Sequence, residues 1–140
     1  MSRRLPHFNR ESLEKSLPEA GVKYVWIREL GGRRKKIQGD SPNIALRSPS
    51  FRNYADYMLT QEFQMAAGEI ASVAESYRVA IMCAERMYFQ CHRMLVSDYF
   101  TALGHKVLHI IDEKPPREHK MMEEARMVEG KLLYRGDRLL

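Results

Sequence analysis

A continuous apolar run at residues 79–84 most strongly limits how this chain can fold. The run shows no alternation of apolar and polar residues, and it lies between Arg78 and Glu85. Such a run is typical of a strand that is covered on both faces, as in a parallel sheet between helices. Residues 78–83 are therefore predicted to form a buried strand. Six apolar residues are too few to cross a bilayer, so no membrane association is expected.

Predicted helices and strands alternate along the rest of the chain. Further strands are predicted at residues 22–27 and 106–111, and helices at residues 9–20, 50–59, 60–76 and 90–103. This order favours an α/β fold with a short, mainly parallel sheet flanked by helices, a truncated Rossmann-like three-layer domain. Residues 1–112 are predicted to form that single domain. Residues 113–140 are predicted to be a C-terminal helical extension, with a helix over 115–130 and an edge strand at 131–135.

The positive charge of the chain is concentrated near its N-terminus. The net charge is +5, and the first 40 residues hold ten Lys or Arg against five Asp or Glu. The densest points are Arg3-Arg4 and the run from Arg33 to Lys36. A basic segment of this kind attracts phosphates, which favours a nucleic acid or a phosphorylated small molecule as the partner. A charge run is also typical of a solvated loop, so both interpretations stay open.

Cysteine content and the N-terminal sequence indicate the compartment. Two cysteines are too few for a disulfide scaffold, and no apolar stretch follows the charged N-terminus as in a signal peptide. We therefore expect a protein of the reducing cytoplasm.

Residues 83–93 concentrate the side chains that carry chemistry. Within eleven residues the segment holds two thiols, a carboxylate, an imidazole and a guanidinium: Cys83, Glu85, Cys91, His92 and Arg93. The segment leads from the end of a predicted strand to the start of a predicted helix, where backbone N–H groups favour anions and thiolates. We predict a thiol nucleophile at Cys83 or Cys91, with Glu85 or His92 moving protons. The alternative is that both cysteines are plain core residues.

A second candidate is the loop Gly31-Gly32-Arg33-Arg34. Two glycines allow the backbone to approach a ligand closely, and two arginines can bind a phosphate or carboxylate bidentately. Arg52 and Tyr54 are expected nearby. The spacing of the cysteines and histidines does not match a zinc site, so neither a metal nor a cofactor is expected.

Several motifs occur in an order that is recognisable. They are Ser2-Arg3-Arg4, the segment 30–34, the segment 50–58, Met82-Cys83-Ala84-Glu85, Cys91-His92-Arg93 and the late strand at 107–110. In these stretches the chain resembles the bacterial and archaeal domain of unknown function 488 family. The resemblance implies an α/β fold and no particular reaction. It also implies one shared pocket, lined by Arg3, Arg4, Arg33, Arg34, Arg52, Tyr54, Cys83, Glu85, Cys91, His92 and Arg93.

The chain differs from the family pattern at its N-terminus. Members of that family begin with a strand, a helix and a second strand ending in Asp-Val-Arg, whereas this chain begins at the Ser-Arg motif. A missing central strand is expected to expose a sheet edge, which favours pairing with a second copy of the chain.

Three classes of function therefore stay open. The first is an enzyme with a Cys/Glu/Cys-His-Arg site and an arginine-lined anion pocket for a phosphorylated or nucleotide-like substrate. The second is a nucleic-acid-binding module that uses the basic N-terminal 40 residues. The third is an inactive, truncated member of the family.

Overall fold

A computed structural model describes residues 5–135, so Arg3 and Arg4 of the predicted anion site lie outside the described residues. The helices are α1 (Arg10–Glu19), α2 (Pro49–Tyr57), α3 (Gln61–Ala74) and α4 (Arg93–Ala102). The strands are β1 (Leu108–His109), β2 (Arg117–Glu118), β3 (Ala125–Val128) and β4 (Lys131–Tyr134). In this part of the chain, no helix is both long enough and apolar enough to cross a membrane.

The two central helices begin within one residue of their predicted starts, and each follows a capping side chain. Ser48 precedes α2, and its side chain accepts a hydrogen bond from the Phe51 N–H at 3.3 Å. Thr60 precedes α3 and accepts in the same way from the Phe63 N–H at 3.4 Å. Ser and Thr are strong N-cap residues because they satisfy N–H groups that lack a partner within the helix. The predicted helices at 50–59 and 60–76 are confirmed, with ends that differ by one or two residues.

Three helices and the last strand share one hydrophobic core. Edge-to-face aromatic pairs join the helices, with Phe63 of α3 packing on Tyr54 of α2 at 6.1 Å and on Tyr99 of α4 at 5.1 Å between ring centroids. The residues buried most completely in this core are Tyr54, Ala55, Met58, Phe63, Ala67, Leu95, Val96, Leu132 and Tyr134. This packing fixes the start of α4, where the candidate site lies.

The fold is mixed α/β, but the predicted mainly parallel sheet is wrong. Both sheets are two-stranded and antiparallel: β1 pairs with β2, and β3 pairs with β4. Nothing in the described residues supports a Rossmann-like arrangement. Alternating helical and apolar segments favour a parallel sheet, but the alternation does not guarantee that the apolar segments pair with one another.

Two segments predicted as strands have no regular secondary structure. In segment 22–27, Val25 is 62% exposed and Trp26 is 51% exposed. In segment 78–83, Met82 is 47% exposed. Both sequences are rich in residues that fit a pleated surface, but a strand also needs a hydrogen-bonding neighbour. No strand within residues 5–135 pairs with either segment, so neither prediction holds.

The C-terminal part forms hairpins, and the predicted helix over 115–130 is wrong. Strands β3 and β4 are joined by Glu129 and Gly130, whose φ angles are +51° and +79°. Two successive residues at positive φ end a helix and give the twist of a two-residue hairpin turn. Along β4, Leu132 and Tyr134 point into the core while Lys131 is exposed. The predicted edge strand at 131–135 is confirmed as β4, and the predicted strand at 106–111 is reduced to β1.

Strand β4 is fastened to the loop that precedes α2. The Tyr134 N–H donates to Asn43 Oδ1 at 2.9 Å, and the Ala45 N–H donates to the Tyr134 carbonyl at 2.9 Å. Asn43 Nδ2 in turn donates to Asp56 Oδ1 of α2 at 2.6 Å. The C-terminal strand is thus joined to the first half of the chain, while a domain boundary at residue 112 stays a prediction.

Candidate functional site

The two thiols lie together at the N-terminal end of α4. Cys91 and His92 immediately precede α4, and Cys83 belongs to the irregular segment before it. The ligand atoms of Cys83, Cys91 and His92 all lie within 4.8 Å of one another. Cys91 is buried, Cys83 is half-buried, and neither forms a disulfide. Both cysteines therefore contribute to a single cluster, which we call the thiol cluster: Cys83, Cys91, His92 and Arg93.

Arg93 connects the two halves of the thiol cluster. Its Nε donates to Cys91 Sγ at 3.1 Å, and its backbone N–H donates to the same sulfur at 3.4 Å. A terminal nitrogen of the guanidinium donates to the Glu85 carbonyl oxygen. Glu85 contributes this backbone oxygen, while the residue is exposed to solvent. The guanidinium of Arg93 therefore holds the segment after Cys83 against the start of α4, and its positive charge lies next to the sulfurs.

The two thiols have different pKa values. The pKa of Cys83 is lowered to about 6, chiefly by its interaction with the neighbouring Cys91 thiol. Backbone N–H groups of Glu85 and Ala84 and the charge of Arg93 act in the same direction. The pKa of Cys91 is raised, first by its interaction with Cys83 and then by burial. The pair therefore favours a thiolate at neutral pH, and the lowered pKa of Cys83 favours that sulfur as its site.

The Gly-Gly-Arg-Arg loop packs directly on His92. A Cβ atom placed on Gly32 would lie 2.4 Å from His92 Nδ1, so only a glycine allows the loop to come this close. On another side, the His92 ring lies 5.2 Å from the Tyr54 ring between centroids. Burial lowers the pKa of His92 to about 4, and the charges of Arg93 and Arg34 add to this effect. His92 is therefore a neutral imidazole at neutral pH.

Arg34 is held in place by its own loop. Its Nε donates to the Gly31 carbonyl at 3.1 Å, and a terminal nitrogen donates to the Arg28 carbonyl at 2.7 Å. The guanidinium also lies 3.8 Å above the centre of the Tyr57 ring, within cation–π distance. These contacts fix a positive charge beside His92 without neutralising it.

The other residues predicted to bind anions lie in different settings. Tyr54 is buried, and its hydroxyl donates to the Leu30 carbonyl at 2.9 Å, which makes it a packing residue that anchors the loop. Arg52 donates twice to the Leu46 carbonyl, at 2.6 and 3.1 Å, so its guanidinium supports the chain before α2. Arg33 is exposed. The structure thus brings Gly31, Gly32, Arg34 and Tyr54 to the thiol cluster, and anion binding by these residues stays a prediction.

The thiol cluster also contains the kinds of ligand atom that bind zinc. Two sulfurs and an imidazole are a common partial ligand set for Zn²⁺. However, the guanidinium of Arg93 already lies 3.1 Å from Cys91 Sγ, and a metal cation there would be placed against an existing positive charge. The geometry therefore fits a cation-stabilised thiol pair better than a metal centre.

Sequence reasoning missed a second, buried polar cluster. Asp98 of α4 accepts hydrogen bonds from His119 Nε2 at 2.6 Å and from the Tyr134 hydroxyl at 2.8 Å. His119 Nδ1 lies 2.7 Å from His109 Nε2. We call Asp98, His119 and His109 the histidine relay. The one sequence signal is a carboxylate within the apolar stretch of α4, two residues after Val96.

Comparison with known proteins identifies one family. The family model described as domain of unknown function DUF488 matches residues 1–100, a range that includes the Gly-Gly-Arg-Arg loop and the whole thiol cluster. No curated protein and no solved structure shows a significant match to the chain.

Proposed function

The chain belongs to the DUF488 family, and we propose that it is an enzyme whose Cys83–Cys91 pair attacks a phosphorylated or nucleotide-like substrate. The observation that carries this proposal is the arrangement around the sulfurs. Two free thiols lie side by side, and the guanidinium and the backbone N–H of Arg93 both point at Cys91 Sγ. Thiolates are the reactive form of cysteine, and the charge of Arg93 also helps to lower the pKa of the adjacent Cys83.

The two cysteines support different steps of such a reaction. The Cys83 thiolate attacks the phosphorus atom, so that a sulfur–phosphorus bond forms as the bond to the leaving oxygen breaks. The leaving oxygen keeps the electron pair and takes a proton from the Cys91 thiol, which is held beside Cys83. A water molecule then attacks the phosphorus, the sulfur leaves as a thiolate, and one proton of the water returns to Cys91.

The surrounding charges favour an anionic substrate. Arg34 and Arg93 each use two nitrogens in the contacts described above, and neither forms an ion pair with a carboxylate in residues 5–135. Their charges therefore remain available to an anion and to the charge that develops in the transition state. Since the neutral imidazole of His92 has no imidazolium proton to give to the leaving oxygen, we assign that proton transfer to Cys91, while a role for the exposed Glu85 stays a prediction.

The first test is the rate of alkylation of each cysteine as a function of pH. We expect Cys83 to react with a midpoint near pH 6, against about 8.5 for a free thiol, because its thiolate is stabilised. Cys91 should react only at much higher pH. Peptide mass spectrometry after iodoacetamide treatment separates the two sites. The matched variant Arg93→Gln removes the charge and keeps an amide donor, and it should raise the Cys83 midpoint.

A second measurement connects the thiols to catalysis. With p-nitrophenyl phosphate, a covalent mechanism in which the sulfur–phosphorus bond is hydrolysed more slowly than it forms releases close to one equivalent of p-nitrophenol per protein in an initial burst. Cys83→Ser should abolish the burst, whereas Lys120→Gln, at an exposed cation outside the cluster, should leave it unchanged. Two buried thiols that react only after unfolding would contradict the proposal and would favour an inactive family member.

A nucleic-acid-binding function is the second candidate. It is favoured by the exposed side chains of Arg33, Lys35 and Lys36, which follow one another on the same loop. A protein that neutralises several phosphates loses affinity steeply with salt, with a log–log slope of about −0.7 to −0.9 per phosphate. A slope shallower than about −2 for single- or double-stranded DNA and RNA would argue against this candidate.

A further inference from the structure

The two cysteines of the thiol cluster differ in their exposure to solvent. Cys83 is half-buried, whereas Cys91 is only 8% exposed. Their sulfur atoms lie within 4.8 Å of each other, and neither sulfur is part of a disulfide. A small molecule in solution therefore has better access to Cys83, while the protected Cys91 is within reach of whatever forms on the Cys83 sulfur.

The chain between the two cysteines is able to adjust its path. Residues 84–90 contain one short 3-10 turn, Tyr88–Gln90, and otherwise no helix or strand. A disulfide requires its sulfurs to approach to about 2.0 Å, so closing a bond here needs a movement of at most about 3 Å. Rotation of the side chains and adjustment of this irregular segment supply that movement without breaking a helix or a pair of strands.

Arg93 favours an oxidation that begins at Cys83. Its charge helps to lower the pKa of Cys83 to about 6, so that thiol is largely a thiolate at neutral pH. The thiolate is the form of cysteine that peroxides oxidise. The Arg93 Nη1 atom forms no hydrogen bond to residues 5–135, whereas its Nε and Nη2 atoms are both engaged. The guanidinium is thus able to stabilise negative charge on an oxygen that leaves near the sulfurs.

We propose that Cys83 is a site of oxidation by small hydroperoxides, such as hydrogen peroxide, and that Cys91 converts the product into a reversible Cys83–Cys91 disulfide. In the first step the Cys83 sulfur attacks one peroxide oxygen, so that a sulfur–oxygen bond forms as the oxygen–oxygen bond breaks. The second oxygen leaves with the electron pair and takes a proton from solvent. Cys83 is then a sulfenic acid.

The second step takes place between the two side chains. The Cys91 sulfur gives up its proton and attacks the Cys83 sulfur, so that the sulfur–sulfur bond forms as the sulfur–oxygen bond breaks. The hydroxyl group leaves with the electron pair and takes that proton, which gives water. In total the thiol pair loses two electrons and the hydroperoxide gains two. The chemistry uses the sulfurs of the proposed phosphoryl transfer but does not depend on that transfer.

Peptide mapping detects this bond directly in the full chain. The protein is treated at pH 7 with one equivalent of hydrogen peroxide, the remaining thiols are blocked with iodoacetamide, and the chain is digested with trypsin without a reductant. Trypsin cleaves after Arg78, Arg86 and Arg93. The two cysteines therefore lie on separate peptides, residues 79–86 and 87–93. We expect the main oxidised product to be these two peptides joined by a disulfide, which dithiothreitol separates.

The same digest contains its own control for unselective oxidation. Met82 precedes Cys83 on the first peptide and is 47% exposed. If the peroxide oxidised any exposed sulfur, Met82 sulfoxide would accumulate as fast as the disulfide. That result would overturn the proposal. Two thiols that stay free, or that are converted mainly to sulfinic and sulfonic acids, would overturn it as well.

Serine variants separate the roles of the two cysteines. In Cys91→Ser the oxidation should stop at the sulfenic acid, so dimedone should label Cys83 at least fivefold more than in the unsubstituted protein at equal loss of free thiol. In Cys83→Ser the loss of free thiol should be at least fivefold slower, because Cys91 is buried. Lys120→Gln, at an exposed cation outside the cluster, should change neither result. Equal dimedone labelling, or equally fast oxidation of Cys83→Ser, would contradict the assigned roles.

Activity measurements keep this proposal separate from the proposed function. Where the untreated protein gives a p-nitrophenol burst, the oxidised protein should give none, and dithiothreitol should restore the burst. An untreated protein that forms the disulfide but gives no burst would refute the phosphoryl transfer and support the oxidation. A burst in a protein that forms no disulfide with peroxide would do the reverse.

Discussion

Replacing Gly32 by alanine tests how the loop and the thiol cluster are joined. The added Cβ would lie 2.4 Å from His92 Nδ1 and 2.9 Å from two further ring atoms, which is about 1 Å inside ordinary contact. His92 cannot simply move away, because the buried Tyr54 ring lies against it. Gly32 is not among the glycines at positive φ, so the cost arises from the contact alone. Overpacking of this kind costs about 1–3 kcal/mol.

Thermal and urea unfolding measure this cost. For a chain of this size, 1 kcal/mol corresponds to a change in melting temperature of roughly 3 °C, so we expect Gly32→Ala to lower it by about 3–10 °C. Gly68→Ala is the matched control, because Gly68 is exposed within α3 and an added Cβ meets no atom within 4 Å. The control should raise stability by up to about 1 kcal/mol, since alanine favours a helix over glycine.

The double variant identifies the partner of the clash. If His92 is the obstacle, Gly32→Ala combined with His92→Ala should lose less stability than the sum of the two single variants, by about 1 kcal/mol or more. Additive losses would show that the added methyl group meets something else. A Gly32→Ala protein as stable as the original would refute the close packing of the loop on His92.

Two further predictions concern the buried polar groups. The pKa of His92 is about 4 in the folded protein and near 6.5 in the unfolded chain. Between these pH values the unfolded chain therefore binds more protons than the folded protein. The contribution of His92 to the free energy of unfolding should be complete above pH 6.5 and should fall by up to about 3 kcal/mol as the pH falls to about 4. Urea unfolding at pH 7, 5.5 and 4.5 measures this loss, and a His92→Gln variant should lose less over the same interval. Tyr134→Phe removes a hydrogen-bond donor to the buried Asp98 and should lower the free energy of unfolding by about 1–3 kcal/mol in the same assay. Tyr99→Phe is the control and should lower it less, because the Tyr99 hydroxyl has no hydrogen bond to the described residues. Equal costs for the two tyrosines would count against the hydrogen bond to Asp98.

The sequence predicted local features better than distant pairings. The helices that follow Ser48 and Thr60 were predictable, because a capping side chain and an apolar stripe lie within a few residues of each other. The strands at 22–27 and 78–83 were not, since a strand is defined by a partner elsewhere in the chain. For the hairpin turn, Glu129 gave no signal, because glutamate is an unusual residue at positive φ.

Gly32 and His92 lie close together, as the sequence predicts, but the cause of their proximity differs from the predicted one. The sequence predicts that both residues lie at one edge of a parallel sheet, whereas the loop reaches His92 by packing directly on the start of α4. The histidine relay had no comparable signal. Asp98, His109, His119 and Tyr134 come from separate segments, and no spacing in the sequence relates them.

The bond between Asn43 and Tyr134 has a consequence for the order of folding. These residues are 91 positions apart, and contacts of such long range require a large loop to close before they contribute. During synthesis the segment that contains Asn43 leaves the ribosome well before Tyr134 does. In that interval α2 and α4 lack the aromatic ring that completes their core, and Asp98 lacks its tyrosine donor. The core therefore closes late, and the apolar surface of α2 and α4 stays open to misfolding and proteolysis until β4 docks.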